Sequence, residues 1–190
     1  MENNLSLDQQ ILIYLNSLGS EQWDPIWLVI TNQLNWIPLF LIILFLLVRQ
    51  FGVKKAAFTL LFIAILVAFS DQFTNLVKGL TARTRPCNTP EMQEYLRNLS
   101  YKPRGFSFWS GHASLSTAFT VFIISLLRKN YKYIYFLILF PMVFGYSRIY
   151  LGVHYPVDVT VGYVSGTIIG ISFYYLFKFV FKKVFKDELK

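Results

Sequence analysis

Cysteine is almost missing from this chain. Cys87 stands alone, so no intramolecular disulfide can form and the redox compartment stays open. Histidine is nearly as scarce. His112 and His154 are the only two, and neither lies in an HxxxH pair or a carboxylate cluster of metal-ligand spacing. No catalytic metal and no cofactor is expected. Walker-type glycine loops are missing, and Ser110 is not set in G-x-S-x-G, which disfavours a serine hydrolase. No basic stretch precedes the short first apolar segment, so a cleaved signal peptide is not expected. The ending KDELK is no retention signal, because Lys190 follows the KDEL. Internal repeats and low-complexity segments are not visible.

Apolar residues are abundant instead. The 190 residues are 55% hydrophobic and 18% aromatic, arranged in long runs that one integral membrane domain over 1–190 explains better than a soluble fold. The net charge of +8 could suggest nucleic acid. The charges lie between apolar runs, however, which favours membrane topology as their cause and excludes a nucleic-acid partner. The fold expected is all-α, a polytopic membrane helix bundle of about five to six spans.

Residues 6–18 place Leu7, Ile11, Leu12, Tyr14, Leu15 and Leu18 near one helical face. At 1.5 Å per residue this stretch is too short for a hydrocarbon core of about 30 Å. It reads as an amphipathic helix in the interface, or as a helix capping the bundle. The apolar runs at 25–50, 56–78, 110–127, 133–150 and 156–180 read as spans, with a turn at Phe51-Gly52. The first span begins polar, with Thr31, Asn32, Gln33 and Asn35. The second ends polar, from Ser70 to Lys78, as a span facing a wet cavity does. Between them and the third span lies a long loop, 79–109, of the kind that is usually functional. EMQEYLRNL within it reads as a short surface helix. Aromatic stripes such as Phe173, Tyr174, Tyr175, Phe177 and Phe179 read as lipid-facing or interfacial rather than as a ligand box.

Basic residues collect on one face: Arg49, Lys54, Lys55, Arg128, Lys129, Lys132, Lys178, Lys182, Lys183, Lys186 and Lys190, against Asp187 and Glu188. The opposite face is close to neutral. By the positive-inside rule the basic face is cytoplasmic. The other then faces a periplasm or exterior.

That outward face carries the chemistry. Lys78, Arg85 and Arg148 come from separate stretches, and guanidinium forks with a mobile ammonium suit dispersed phosphoryl charge. Snorkelling at span ends is the competing use. Ser110 can cap the third span, leaving Gly111 and His112 in a first turn whose free N–H groups suit an anion. His112 can donate a proton to a leaving oxygen. His154 and Asp158 are four apart around Pro156, so His154 precedes the fifth span and Asp158 lies in its first turn. The carboxylate can then fix the imidazole tautomer and leave the other nitrogen free to attack phosphorus. Arg83, Lys102 and Arg104 read as solvated loop charges or as attractors of a second phosphate.

Lys78, six residues and Arg85-Pro86; Ser110-Gly111-His112; and Ser147-Arg148, five residues, His154, three residues, Asp158 together resemble the three motifs of the type 2 phosphatidic acid phosphatase superfamily. The family has proline before Ser-Gly-His, where this chain has Trp109, an aromatic suited to the headgroup level. The resemblance implies a helical membrane bundle and metal-independent removal of phosphate from a lipid phosphate or diphosphate. It implies that His154 is the nucleophile, Asp158 its orienting partner and His112 the general acid. Lys78, Arg85, Ser110, Gly111 and Arg148 would hold the phosphoryl group. The expected partners are the bilayer and a lipid phosphate substrate.

The expected setting is a bacterial inner membrane with the site facing the periplasm. Short length and an outward site favour undecaprenyl diphosphate. Phosphatidylglycerophosphate, phosphatidic acid and lipid A phosphates are rivals of the same chemistry. A lipid-to-lipid phosphotransferase and a lipid-binding or transport protein are rivals of other classes, the latter weakened because no motif residue is missing.

Overall fold

The computed structural model describes residues 5–97, 99 and 101–187. Lys190 and Glu188 of the charge argument, and the retention-signal ending, lie outside these residues. The described chain is all-helical, 78% helix with no strand. Its elements are α1 (Leu7–Ser17), α2 (Asp24–Thr31), α3 (Ile37–Thr81), α4 (Pro90–Gln93), α5 (Gly111–Leu127), α6 (Leu139–Tyr150) and α7 (Pro156–Phe185).

Among the described residues, three helical stretches are long and apolar enough to cross a membrane: Gln33–Thr81, Lys132–Tyr150 and Pro156–Phe185; Gly111–Leu127 is apolar but shorter. A straight α3 would run about 68 Å at 1.5 Å per residue, twice a bilayer core. It does not run straight. Gly52 leaves helical geometry at φ 74° and ψ 164°, a region almost closed to residues with a Cβ. The chain folds back there, so that Ile43 and Leu47 share a core with Phe62 and Leu66. The turn expected at Phe51-Gly52 therefore separates two rods.

The first rod begins later than its hydropathy suggests. Asn32 adopts an extended conformation (ψ 113°) and its side chain accepts from the Leu34 N–H, so α2 is a separate short helix. The second rod continues to Thr81, beyond the expected end at 78. Of EMQEYLRNL only the start is helical, in α4, and Asn98 lies outside the described residues.

Helices α5 and α7 form the tightest pair. Gly162, Gly166 and Gly170 recur every four residues on α7 and lie against the α5 backbone. A methyl group added at Gly162 would sit 2.8 Å from the Ser110 carbonyl, and one at Gly170 would sit 2.7 Å from that of Ala118. Small residues at this spacing let two membrane helices approach closely. The core around them is aromatic, with Phe122, Phe177 and Phe181 almost fully buried.

The basic residues gather at one end. Lys55, just past the Gly52 turn, pairs with Asp187 at 2.6 Å, beyond the end of α7. Helix α5 carries the chain about 25 Å away, by the same rise, from that end to Ser110. Helix α1 lies at this second end and packs on α6 and α7. Leu12 and Asn16 are its buried residues, while Leu7, Ile11, Tyr14 and Leu18 are exposed. It caps the bundle and also presents an apolar outer side.

Candidate active site

The short link between α6 and α7 builds the centre. The backbone carbonyl of Arg148 accepts from the N–H groups of Val153 (3.0 Å) and His154 (3.3 Å). This folds the chain over Gly152 and sets His154 directly above the last turn of α6. Pro156 then starts α7, and Asp158, in its first turn, accepts the Tyr155 N–H at 3.0 Å. Arg148, His154 and Asp158 are all at most 1% exposed.

His154 has a definable protonation state. Its Nε2 lies 2.9 Å from Nη1 of Arg85, and its Nδ1 lies 3.3 Å from Oδ2 of Asp158. A guanidinium only donates, so Nε2 must accept and the ring proton must sit on Nδ1, toward the carboxylate. Burial holds the imidazole well below its ordinary value, and the charges of Arg85, Arg148 and Lys78 push the same way. His154 is neutral, with its lone pair on Nε2. That nitrogen is not free, as the sequence suggested: Arg85 already occupies it.

The cations arrive from three directions. Arg85 is buried, and also donates to the carbonyls of Val153 (3.1 Å) and Gly105 (3.2 Å). Arg148 donates through Nη1 to the Thr31 hydroxyl and to Tyr101 (3.3 Å), whose ring it also faces. Its Nε is buried with no partner among the described residues. Lys78, near the end of α3, brings Nζ within 3.8 Å of where a Cβ on Gly111 would be. The ammonium thus lies beside the N-terminus of α5, where Ser110 caps the helix by accepting the Ala113 N–H. Ser110 is tied to α7 as well, its N–H donating to the Asp158 carbonyl at 2.9 Å. His112 follows, with the charges of Arg148, Lys78 and Arg85 in electrostatic reach. Its ring packs on Phe144 at 4.8 Å. All eight residues expected at the site thus lie at one end of the bundle.

Other residues were not anticipated there. Thr31 holds Arg148, and its only signal was the polar start of the first span. Arg83, a solvated loop charge or phosphate attractor on the sequence alone, is 32% exposed and makes two ion pairs: Nη1 bonds Oδ1 of Asp158 at 2.7 Å and Nη2 bonds Oδ2 of Asp8 at 2.6 Å. Lys102 and Arg104 remain exposed. Trp109, in the proline position, donates its indole N–H to Thr74 at 3.1 Å and so pins the loop before Ser110 to α3. Among the described residues, no three His, Cys, Asp or Glu side chains gather as a metal site would need.

An apolar groove of about 440 Å³ opens between α3, α5 and α6. It is lined by Phe40, Ile43, Leu47, Ile63 and Phe119, and reaches Ser116 and Phe144 beside His112.

The family model described as the PAP2 superfamily matches residues 56–182, which include all three motif stretches. The chain belongs to the PAP2 superfamily. It is a phosphatase of that superfamily, a hydrolase, and an integral membrane protein. This PAP2 protein is 35% identical over 162 residues to a lipid A 4'-phosphatase of Bacteroides thetaiotaomicron, spanning 82% of this chain and 70% of that relative. It is 28% identical over 163 residues to an undecaprenyl-diphosphatase of Sulfolobus acidocaldarius, spanning 85% and 67%. Among solved structures, a transmembrane PAP2-type phosphatidylglycerolphosphate phosphatase from Bacillus subtilis shares its fold. The TM-score is 0.69 at 21% identity, covering 93% of this chain and 85% of that one.

Proposed function

We propose that this PAP2 protein removes a phosphate from a membrane lipid through a phosphohistidine on His154. One observation carries the reading: a buried, neutral imidazole has its proton turned to Asp158 and its lone pair turned to a cluster of cations. Phosphoryl oxygens replace Nε2 as the acceptor of Arg85, joined by Lys78, Arg148 and the N–H groups at Gly111 and His112. The Nε2 lone pair forms a bond to phosphorus, and the bond from phosphorus to the lipid oxygen breaks. That oxygen keeps the electron pair and takes a proton from His112. Asp158 stabilises the cationic ring that results. Water then attacks phosphorus and gives a proton to His112. The N–P bond returns its electrons to Nε2, and inorganic phosphate leaves.

The groove beside His112 supports a lipid as the phosphate carrier, since a tail can remain at bilayer depth while its phosphate meets the cations. The basic end, opposite the site, supports a periplasmic or exterior orientation in a bacterial inner membrane. We take the chain 1–190 as one membrane domain of five spans, with α1 capping it. The relative from Bacteroides thetaiotaomicron favours a lipid A phosphate as the first substrate to test. Undecaprenyl diphosphate, the expectation from short length, is the second reading and is favoured by the Sulfolobus relative.

The test is phosphate release in detergent with EDTA, using lipid A, undecaprenyl diphosphate, phosphatidylglycerophosphate and phosphatidic acid, with His154→Ala beside the wild type. Release that resists EDTA and vanishes in the variant is the expected result. Release that survives His154→Ala would sink the mechanism. Turnover that needs a second lipid as acceptor and yields little free phosphate would make the protein a phosphotransferase.

A further inference from the structure

Asp158 is held by more than His154. Its Oδ2 faces His154 Nδ1 and accepts the Tyr155 N–H, while its Oδ1 accepts from Nη1 of Arg83. Arg83 is gripped in turn. Its other nitrogen, Nη2, bonds Oδ2 of Asp8 on α1, and its plane lies over the Tyr155 ring with the guanidinium carbon 4.0 Å from the ring centre. Asp8 uses its second oxygen to accept the Val157 N–H, at 3.0 Å, in the first turn of α7. The backbone of Arg83 is pinned too, its carbonyl accepting the N–H of buried Ser107 at 2.8 Å. A carboxylate, a guanidinium and a second carboxylate thus run in line from α1 to the imidazole.

We infer that Asp8 and Arg83 are positioning residues for His154, acting through Asp158. The inference rests on the reading of His154 as nucleophile. The physical argument is one of charge and geometry. Arg83 locks the Asp158 carboxylate in the orientation that receives Nδ1–H. Alone, an arginine at 2.7 Å would also cancel the negative charge that the phosphorylated, cationic ring needs. Asp8 draws the other end of the guanidinium to itself and restores a net negative charge to the group. Because Asp8 also caps α7, the docking of α1 is coupled to the rotamer of Asp158. Arg83 does not turn toward the cation cluster, since its two terminal nitrogens are committed to carboxylates.

The experiment measures kcat, KM and inhibition by inorganic phosphate for Asp8→Asn, Arg83→Gln, Arg83→Lys and the Asp8→Asn/Arg83→Gln pair. It uses lipid A or undecaprenyl diphosphate, whichever the wild type hydrolyses, and records thermal midpoints. Misplacing a reacting group by about 1 Å can cost about 100-fold. A kcat loss of about 10- to 100-fold is expected in Asp8→Asn and Arg83→Gln, with KM and the phosphate Ki within about twofold of wild type. The paired variant should be little worse than Arg83→Gln alone, as for residues acting as one unit. Arg83→Lys keeps a cation between the carboxylates and should recover part of the rate; it is also the variant to read if Arg83→Gln does not fold. Phosphate Ki rising in step with the fall in kcat would make Arg83 a phosphate ligand and overturn the inference. So would kcat within twofold of wild type in Asp8→Asn and Arg83→Lys. Wild-type turnover that survives His154→Ala would instead remove the reading beneath it.

Discussion

The Nε2 atom of His154 and Nη1 of Arg85 lie 2.9 Å apart, and that contact fixes the tautomer of the imidazole. Burial first, then Arg85, Arg148 and Lys78, hold it well below the usual histidine value of about 6.5. On unfolding, the ring takes up a proton below that pH, so the unfolded state binds more protons there. The stability that His154 contributes as a buried neutral ring is present above about pH 6.5 and is lost as the pH falls. Thermal midpoints in detergent at pH 7, 6 and 5 should therefore drop more steeply for the wild type than for His154→Gln. Parallel slopes would mean that the ring is already charged in the folded protein.

Asp158→Asn keeps the shape of the first turn of α7 but removes the charge opposite Nδ1. The amide can present its N–H₂ to the ring and favour the wrong tautomer, with the proton on Nε2. A loss of turnover on the order of 10²-fold to 10⁴-fold is expected, with phosphate affinity nearly unchanged because the cations remain. Rapid-quench measurement of the phosphoenzyme should show its formation, rather than its hydrolysis, slowed.

His112 sits in the first turn of α5 with its ring packed on Phe144. Its proposed task is protonation of the leaving oxygen. His112→Ala should therefore slow release from poor leaving groups, such as lipid alkoxides, far more than from p-nitrophenyl phosphate. Equal losses for both would count against the acid role.

The glycines of α7 set the distance between Ser110 and Asp158. Gly166→Ala drives a methyl group into the Ser114 carbonyl, and such overpacking costs about 1–3 kcal/mol. Gly79, where an added methyl group meets nothing within 4 Å, is the control: Gly79→Ala in the last turn of α3 should be neutral or stabilising by up to about 1 kcal/mol. Thermal midpoints of the two variants should move in opposite directions, or only that of Gly166→Ala should fall.

Gly52 makes the turn between the two rods of α3. Its surroundings are open, yet its φ of 74° and ψ of 164° exclude a side chain for backbone reasons alone. Gly52→Ala should lower stability by about 1–3 kcal/mol. No change in the thermal midpoint would show that the turn can be made another way.

The sequence by itself determined the helical class and the positions of the rods after Gly52, and it marked the candidate site residues. Long apolar runs have few other solutions in a bilayer, and Lys78, Arg85, Ser110, Gly111, His112, Arg148, His154 and Asp158 keep motif spacings that adjacency along the chain preserves. The link from Arg148 to Asp158 was legible because one helix end, one turn and one helix start fix its geometry locally. The Gly162, Gly166, Gly170 stripe was equally written in the sequence, as small residues at helical spacing, but hydropathy alone passes over it. Only the tertiary structure decided that Asp8 reaches Asp158 through Arg83, that Thr31 holds Arg148 and that Arg85 faces Nε2. Those contacts join residues 75, 117 and 69 positions apart. A lone aspartate on a short helix and an arginine in a loop carry no mark of which distant charge they will meet. That is set by where the packing of α1, α6 and α7 leaves buried charge to be neutralised, and a buried carboxylate takes whichever cation the fold brings within reach.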